Sequence, residues 1–134
     1  MSVLVDTTVM LDIALRREPF FQNSALALAK ARAAGDTLLC TTSVTTLHYF
    51  MHKKLGEAGA RRFIADCLQA MTLAPVQGIT LQQALASPMH DFEDGVIAHC
   101  AAQSGAHTIL TRDTADYAKS PVQALTPTEY LSTP

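Results

Sequence analysis

The chain has 134 residues, 49% of them apolar, and a formal net charge of −2, so it is long enough for one domain with its own hydrophobic core and short for two. The opening MSVLVDTTVMLD sets Asp6 and Asp12 about a very short apolar run; it has neither the basic-then-apolar order of a signal peptide nor the length of a membrane span, and a cytoplasmic protein with no membrane partner is expected. Cys40, Cys67 and Cys100 are odd in number, far apart and set in apolar stretches, which suits buried thiols and neither a disulfide framework nor a zinc site.

Residues 3–5 form a short β-branched run that reads as a buried strand, passing into a helix capped by Asp6, Thr7 or Thr8. A helix over residues 20–34 stops at Gly35, and a second strand is expected over 37–41. Residues 43–55 are amphipathic, with Val44, Leu47, Phe50, Met51 and Leu55 apolar, and Gly56 closes them; another helix covers 58–70. Residues 73–76 make a third strand whose Pro75 suits an edge or strand end. A short helix over 80–86 and a longer one over 90–104, ended by Gly105, precede a fourth strand at 107–110. A last strand at 122–125 leads into Thr126-Pro127, which opens a final helical turn through Leu131.

Strands alternating with helices imply right-handed crossovers and a mainly parallel sheet of four to five strands, covered on both faces as a three-layer α/β/α sandwich. Such sheets place their sites at the carboxyl ends of the strands. Asp6 and Asp113 each follow an apolar strand there, and Asp91, Glu93 and Asp94 crowd the start of the helix before the second of these strands. Asp91 and Asp94, three apart, would share a helical face, whereas Glu93 would point about 100° away from Asp94. Carboxylates gathered in one cleft repel, and a hard divalent cation offsets that repulsion. Mg²⁺ prefers oxygen donors and is commonly held by one or two carboxylates, with water and substrate phosphate completing its octahedron. The paired bases Arg16-Arg17, Lys53-Lys54 and Arg61-Arg62 would flank such a site if the fold gathers them. His48 and His52, at i,i+4 spacing, bring no third imidazole or thiolate and are read as surface.

VLVDTTVMLD resembles the VxVDTNVLLD opening of PIN-domain nucleases, and DFEDGVIAHCAAQSGAHTILTRDTADY resembles their DFEDALIAAxAxxxGAxxIVTRNxxDF segment. SPVQALTPTEYL is similar to the family's last strand and helix, so the likeness runs nearly from end to end. It implies a PIN-like fold and Mg²⁺- or Mn²⁺-dependent endoribonuclease activity on an RNA substrate, as in VapC-like toxin ribonucleases. An antitoxin partner and a homodimer are implied in the same way. By position, Asp6, Asp94 and Asp113 correspond to metal ligands and Thr8 to a small polar residue beside the first aspartate; on that reading Asp91 or Glu93 would help orient water. Thr8 and Thr111 would make secondary hydrogen bonds, and Arg112 would contact phosphate. Thr46 stands where the family usually has glutamate; a hydroxyl there can hydrogen-bond water or phosphate but brings no charge.

Two other readings follow from the same residues. A PIN-like module without turnover would bind RNA or protein through the same fold. A phosphotransfer domain with strand-end aspartates is disfavoured because Asp6 is followed by Thr7 and Thr8, with no second aspartate two positions on.

Overall fold

The computed structural model describes residues 1–134. Its strands are β1 (Val3–Val5), β2 (Thr37–Cys40), β3 (Thr72–Ala74), β4 (Thr108–Leu110) and β5 (Ala124–Leu125), and its helices α1 (Thr7–Ala14), α2 (Phe21–Ala34), α3 (Thr41–Ala70), α4 (Gly78–Ala86), α5 (Phe92–Gln103) and α6 (Pro127–Leu131). All strand pairings are parallel, in the order β3-β2-β1-β4-β5. Pleating divides the strand residues between two cores. Val3, Val5, Leu39 and Leu110 face a cluster built with α1, α2, α3 and α6, while Leu4, Leu38, Cys40 and Ile109 face one built mainly on α5. The fold is the expected α/β/α sandwich.

Several boundaries differ from the sequence pattern. The helices expected over 43–55 and 58–70 run on as α3, but the chain breaks at Gly56, whose φ of 76° and ψ of 178° lie outside the helical region. A side chain there would be strained, and glycine adopts the geometry freely. The third strand begins at Thr72 and ends before Pro75, and β5 is confined to Ala124–Leu125, with Val122 before it in the α5-side core. A 3₁₀ turn at Thr114–Tyr117 was not foreseen. Gly105, at φ 74°, ends α5 and returns the chain to β4. Cys40, Cys67 and Cys100 are buried free thiols.

The strand order reverses beside β1: the chain winds outward through β2 and β3, then crosses back to lay β4 on the other flank of β1. Loops leaving β1 and β4 therefore diverge and open a crevice at their carboxyl ends. Asp6 begins one loop and Thr111 the other, and the Asp6 amide donates to the Leu110 carbonyl at 2.9 Å.

Candidate active site

Asp6 is held where β1 becomes α1. Its Oδ1 accepts the Thr7 amide at 2.8 Å, which caps α1, and its Oδ2 accepts the Thr111 hydroxyl at 2.8 Å and the Thr8 hydroxyl at 3.2 Å. Each threonine also accepts from the loop after β4: Thr8 Oγ1 from the Arg112 amide at 3.4 Å, Thr111 Oγ1 from the Asp113 amide at 3.2 Å. The two hydroxyls thus tie that loop to the carboxylate. Burial raises the Asp6 pKa above the usual aspartate value, and the bonds from Thr111, Thr7 and Thr8 oppose the rise. No cation lies within ion-pair distance of Asp6.

Asp94 enters from the first turn of α5, on the opposite side of the sheet. Burial, followed by the charges of Asp6, Asp91 and Asp116, pushes its pKa up to about 7. The buried Tyr117 hydroxyl donates to Asp94 Oδ1 at 3.4 Å. The same burial, with Asp6 and Asp94 nearby, drives the Tyr117 pKa far above its normal value, so the phenol stays a neutral donor. Tyr117 and the 3₁₀ turn that presents it were missed from sequence; the one signal was the aromatic residue closing TRDTADY.

Asp6, Asp94, Asp113, Glu93 and Asp116 line one open cleft of about 290 Å³, with Thr8, Thr46 and Arg17 on its walls. Two expectations are corrected. Asp91 is the N-cap of α5, not a member of its face: its Oδ1 accepts the Asp94 amide at 2.9 Å, and the cleft takes Glu93 beside Asp94 instead. Arg112 turns away from the cleft, lying over the Phe20 ring at 4.2 Å with Nε 3.3 Å from Asp12. Thr46 directs its hydroxyl back to the Thr42 carbonyl at 3.4 Å. Of the paired bases, only Arg17 reaches the cleft; Lys53 lies over Tyr49, and Arg61 with His48 engages Glu57 across the Gly56 break.

No three His, Cys, Asp or Glu side chains converge closely enough to enclose an ion by themselves. The donors are oxygens, and Asp6 retains roughly one of its four lone-pair positions after three hydrogen bonds. That set fits Mg²⁺ or Mn²⁺ taken by one or two carboxylates, with water and phosphate in the remaining positions, and not a fully caged cation.

A family model described as PIN domain matches residues 2–115. The chain superposes on VapBC2 from Rickettsia felis, solved with a fragment of promoter DNA, with a TM-score of 0.74 at 12% identity, covering 94% of this chain and 98% of that one. It superposes on FitAcB from Neisseria gonorrhoeae with a TM-score of 0.72 at 21% identity (93% and 97% covered). A third match is VapC20 from Mycobacterium tuberculosis, a toxin that cleaves the sarcin–ricin loop, at TM-score 0.67 and 12% identity (80% and 86% covered). At these identities the likeness is one of fold. No curated protein matches the chain by sequence.

Proposed function

This chain belongs to the PIN domain family, and from that premise we propose that it is a cytoplasmic, Mg²⁺- or Mn²⁺-dependent endoribonuclease, the toxin of a toxin–antitoxin pair. The observation that carries the reading is the meeting of Asp6 and Asp94 at the reversal of strand order, in an open cleft where Asp6 has no protein cation to neutralise it. Asp6 and Asp94 would hold the ion, with Asp113 contributing directly or through water. When bound, the ion supplies Lewis acidity, acidifying water and neutralising charge on the scissile phosphate. Thr8 and Thr111 fix the Asp6 rotamer, Tyr117 orients Asp94, and Glu93, which lines the cleft beside Asp94, would position the nucleophile. Arg17 is the basic residue placed to meet phosphate there.

A further structure of the same fold, from Klebsiella pneumoniae, is described as a toxin–antitoxin complex, and by analogy an antitoxin is a proposed protein partner, with a second copy of this chain as the other. Tyr49, Leu55, Ile79 and Leu85 are exposed apolar residues on α3 and α4 that such partners would cover. A second reading, a PIN-like module without turnover, is favoured by one observation: Thr46 leaves the α3 wall of the cleft without a carboxylate.

Labelled structured and single-stranded RNAs incubated with Mn²⁺, Mg²⁺ or EDTA, beside Asp94→Asn, test the proposal. Cleavage that needs the ion and is absent in the variant is the expected result. Failure to cleave any RNA, together with no Mn²⁺ binding by calorimetry, would move the assignment to the module without turnover.

A further inference from the structure

Behind the cleft, Asp12 is fully buried between two arginines, with Arg17 Nη1 at 3.8 Å and Arg112 Nε at 3.3 Å. The two guanidinium groups serve different cavities. Arg17 lines the acidic cleft, whereas Arg112 lines a second cavity of about 390 Å³ together with Phe20, Asn23, Ser24 and Thr128. Two guanidinium groups thus face the Asp12 carboxylate, which also feels the charge of Asp113.

The second cavity has the attributes of an anion site. Ser24 is 1% exposed and its hydroxyl has no hydrogen-bond partner. A buried hydroxyl without a partner is costly unless something else meets it. Helix α2 starts at this cavity without a side-chain cap, and the Gln22 and Asn23 amides of its first turn have no backbone acceptor. Those amides and the helix dipole favour negative charge. The Asp12 oxygens, which also border the cavity, have almost no exposed surface and already face two guanidinium groups.

We infer that the Arg112 cavity is a subsite for a second backbone phosphate of the nucleic-acid strand, next to the phosphate that Arg17 meets in the cleft. One carboxylate orients both guanidinium groups, so Asp12 is a positioning residue for two phosphate contacts on a single strand. The identity of that strand as RNA rests on the nuclease reading; the cavity's preference for phosphate does not.

The test is fluorescence anisotropy of a short labelled single-stranded RNA in EDTA, where cleavage is stopped, across a salt series. Arg112→Ala is expected to weaken binding about fivefold and to reduce the salt slope by about 0.7, the value for one lost phosphate contact on a single strand. Asn23→Asp places a carboxylate at the same cavity while adding a favourable charge to the α2 N-terminus, and the Thr128 hydroxyl that now accepts from Asn23 at 3.1 Å can donate to it instead; it should weaken binding to a similar degree. Replacing the strand's linkages one at a time by neutral methylphosphonates should reveal a position that matters to the unmodified protein and no longer matters to Asn23→Asp. Unchanged affinity and salt slope in Asn23→Asp would overturn the inference, whether or not Arg112→Ala folds. The same dependence with single-stranded DNA supports the subsite and counts against the ribonuclease reading alone, as does binding without cleavage in Mn²⁺.

Discussion

Asp6 and Asp12 lie on one continuous strand-to-helix segment and are both buried, at 5% and 0% exposure, yet they are compensated in opposite ways. Asp6 accepts hydrogen bonds from three neutral donors and has no cation beside it. Asp12 has two guanidinium groups beside it and no hydrogen bond of good geometry to either oxygen. Burial raises the pKa of both; at Asp12 the charges of Arg112 and Arg17 act against the rise, while at Asp6 only dipoles do. A carboxylate neutralised within the protein has no need of an external cation. One held by dipoles in an open cleft keeps a charge that a metal ion can answer. On the proposed reading, the contrast separates a carboxylate that would take a metal ion from one that orients two arginines.

The largest expected effect breaks the cleft side of that contrast. Asp6→Asn and Asp94→Asn keep the shape of the side chain and remove its charge, and each should lower metal-dependent cleavage by about 100-fold or more in single-turnover assays. Cleavage within a few-fold of the unmodified protein would remove these residues from the site.

Breaking the Asp12 side should instead cost stability, and unequally. Arg112→Ala leaves a fully buried carboxylate with Arg17 alone at 3.8 Å and should destabilise the fold by about 3 kcal/mol in urea unfolding. Asp12→Asn leaves two arginines whose side chains are 38% and 29% exposed and able to reach water, and should cost about 1 kcal/mol. The opposite order would mean that the cluster is held by something other than the burial of Asp12.

A smaller effect comes from pH. The folded-state pKa of Asp94 is raised from 3.8 to about 7, so the metal-free fold binds that proton more tightly than the unfolded chain does. The resulting stability is fully present below about pH 4 and is lost as pH rises through about 7. Asp94 is only partly buried, and solvent screening reduces the full shift to a contribution of about 2 kcal/mol. Thermal unfolding in EDTA should therefore fall by about 5 °C between pH 5 and pH 8, and Asp94→Asn should flatten the trend. Mn²⁺ favours the ionised form and should erase it as well. A slope that persists in Asp94→Asn would assign the proton to another group.

The layering was legible in the sequence because it rests on local signals: the apolar runs of β1, β2 and β4, and glycines at 35, 56 and 105 where helices end or break. Asp6 and Asp94 were legible because one follows a strand and the other opens a helix, places where fold alone determines position. What could not be read depends on side-chain direction across long sequence separations. Asp91 and Glu93 exchanged places because the start of α5 lies two residues later than the pattern placed it, which turns a helical neighbour into a cap. Arg112 follows a strand whose loop could turn either way, and the buried Asp12 decides the direction. Tyr117 is carried by a short 3₁₀ turn with no periodicity to announce it.

The smallest effect probes the empty wall of the cleft. Thr46 lies on α3 facing the same cavity as Asp6 and Asp94, and its hydroxyl is turned back onto the helix. Thr46→Glu would place a further carboxylate on that wall. Without metal, the added repulsion should lower stability by less than about 1 kcal/mol, because the position is only partly buried. With Mn²⁺ the same charge becomes an attraction, and affinity measured by calorimetry should rise about tenfold. The two halves of the result must have opposite signs, since one charge produces both. A variant less stable in EDTA and no tighter for Mn²⁺ would show that the cleft binds its ion away from α3, and that Thr46 is a wall of the substrate groove and not a vacated ligand position.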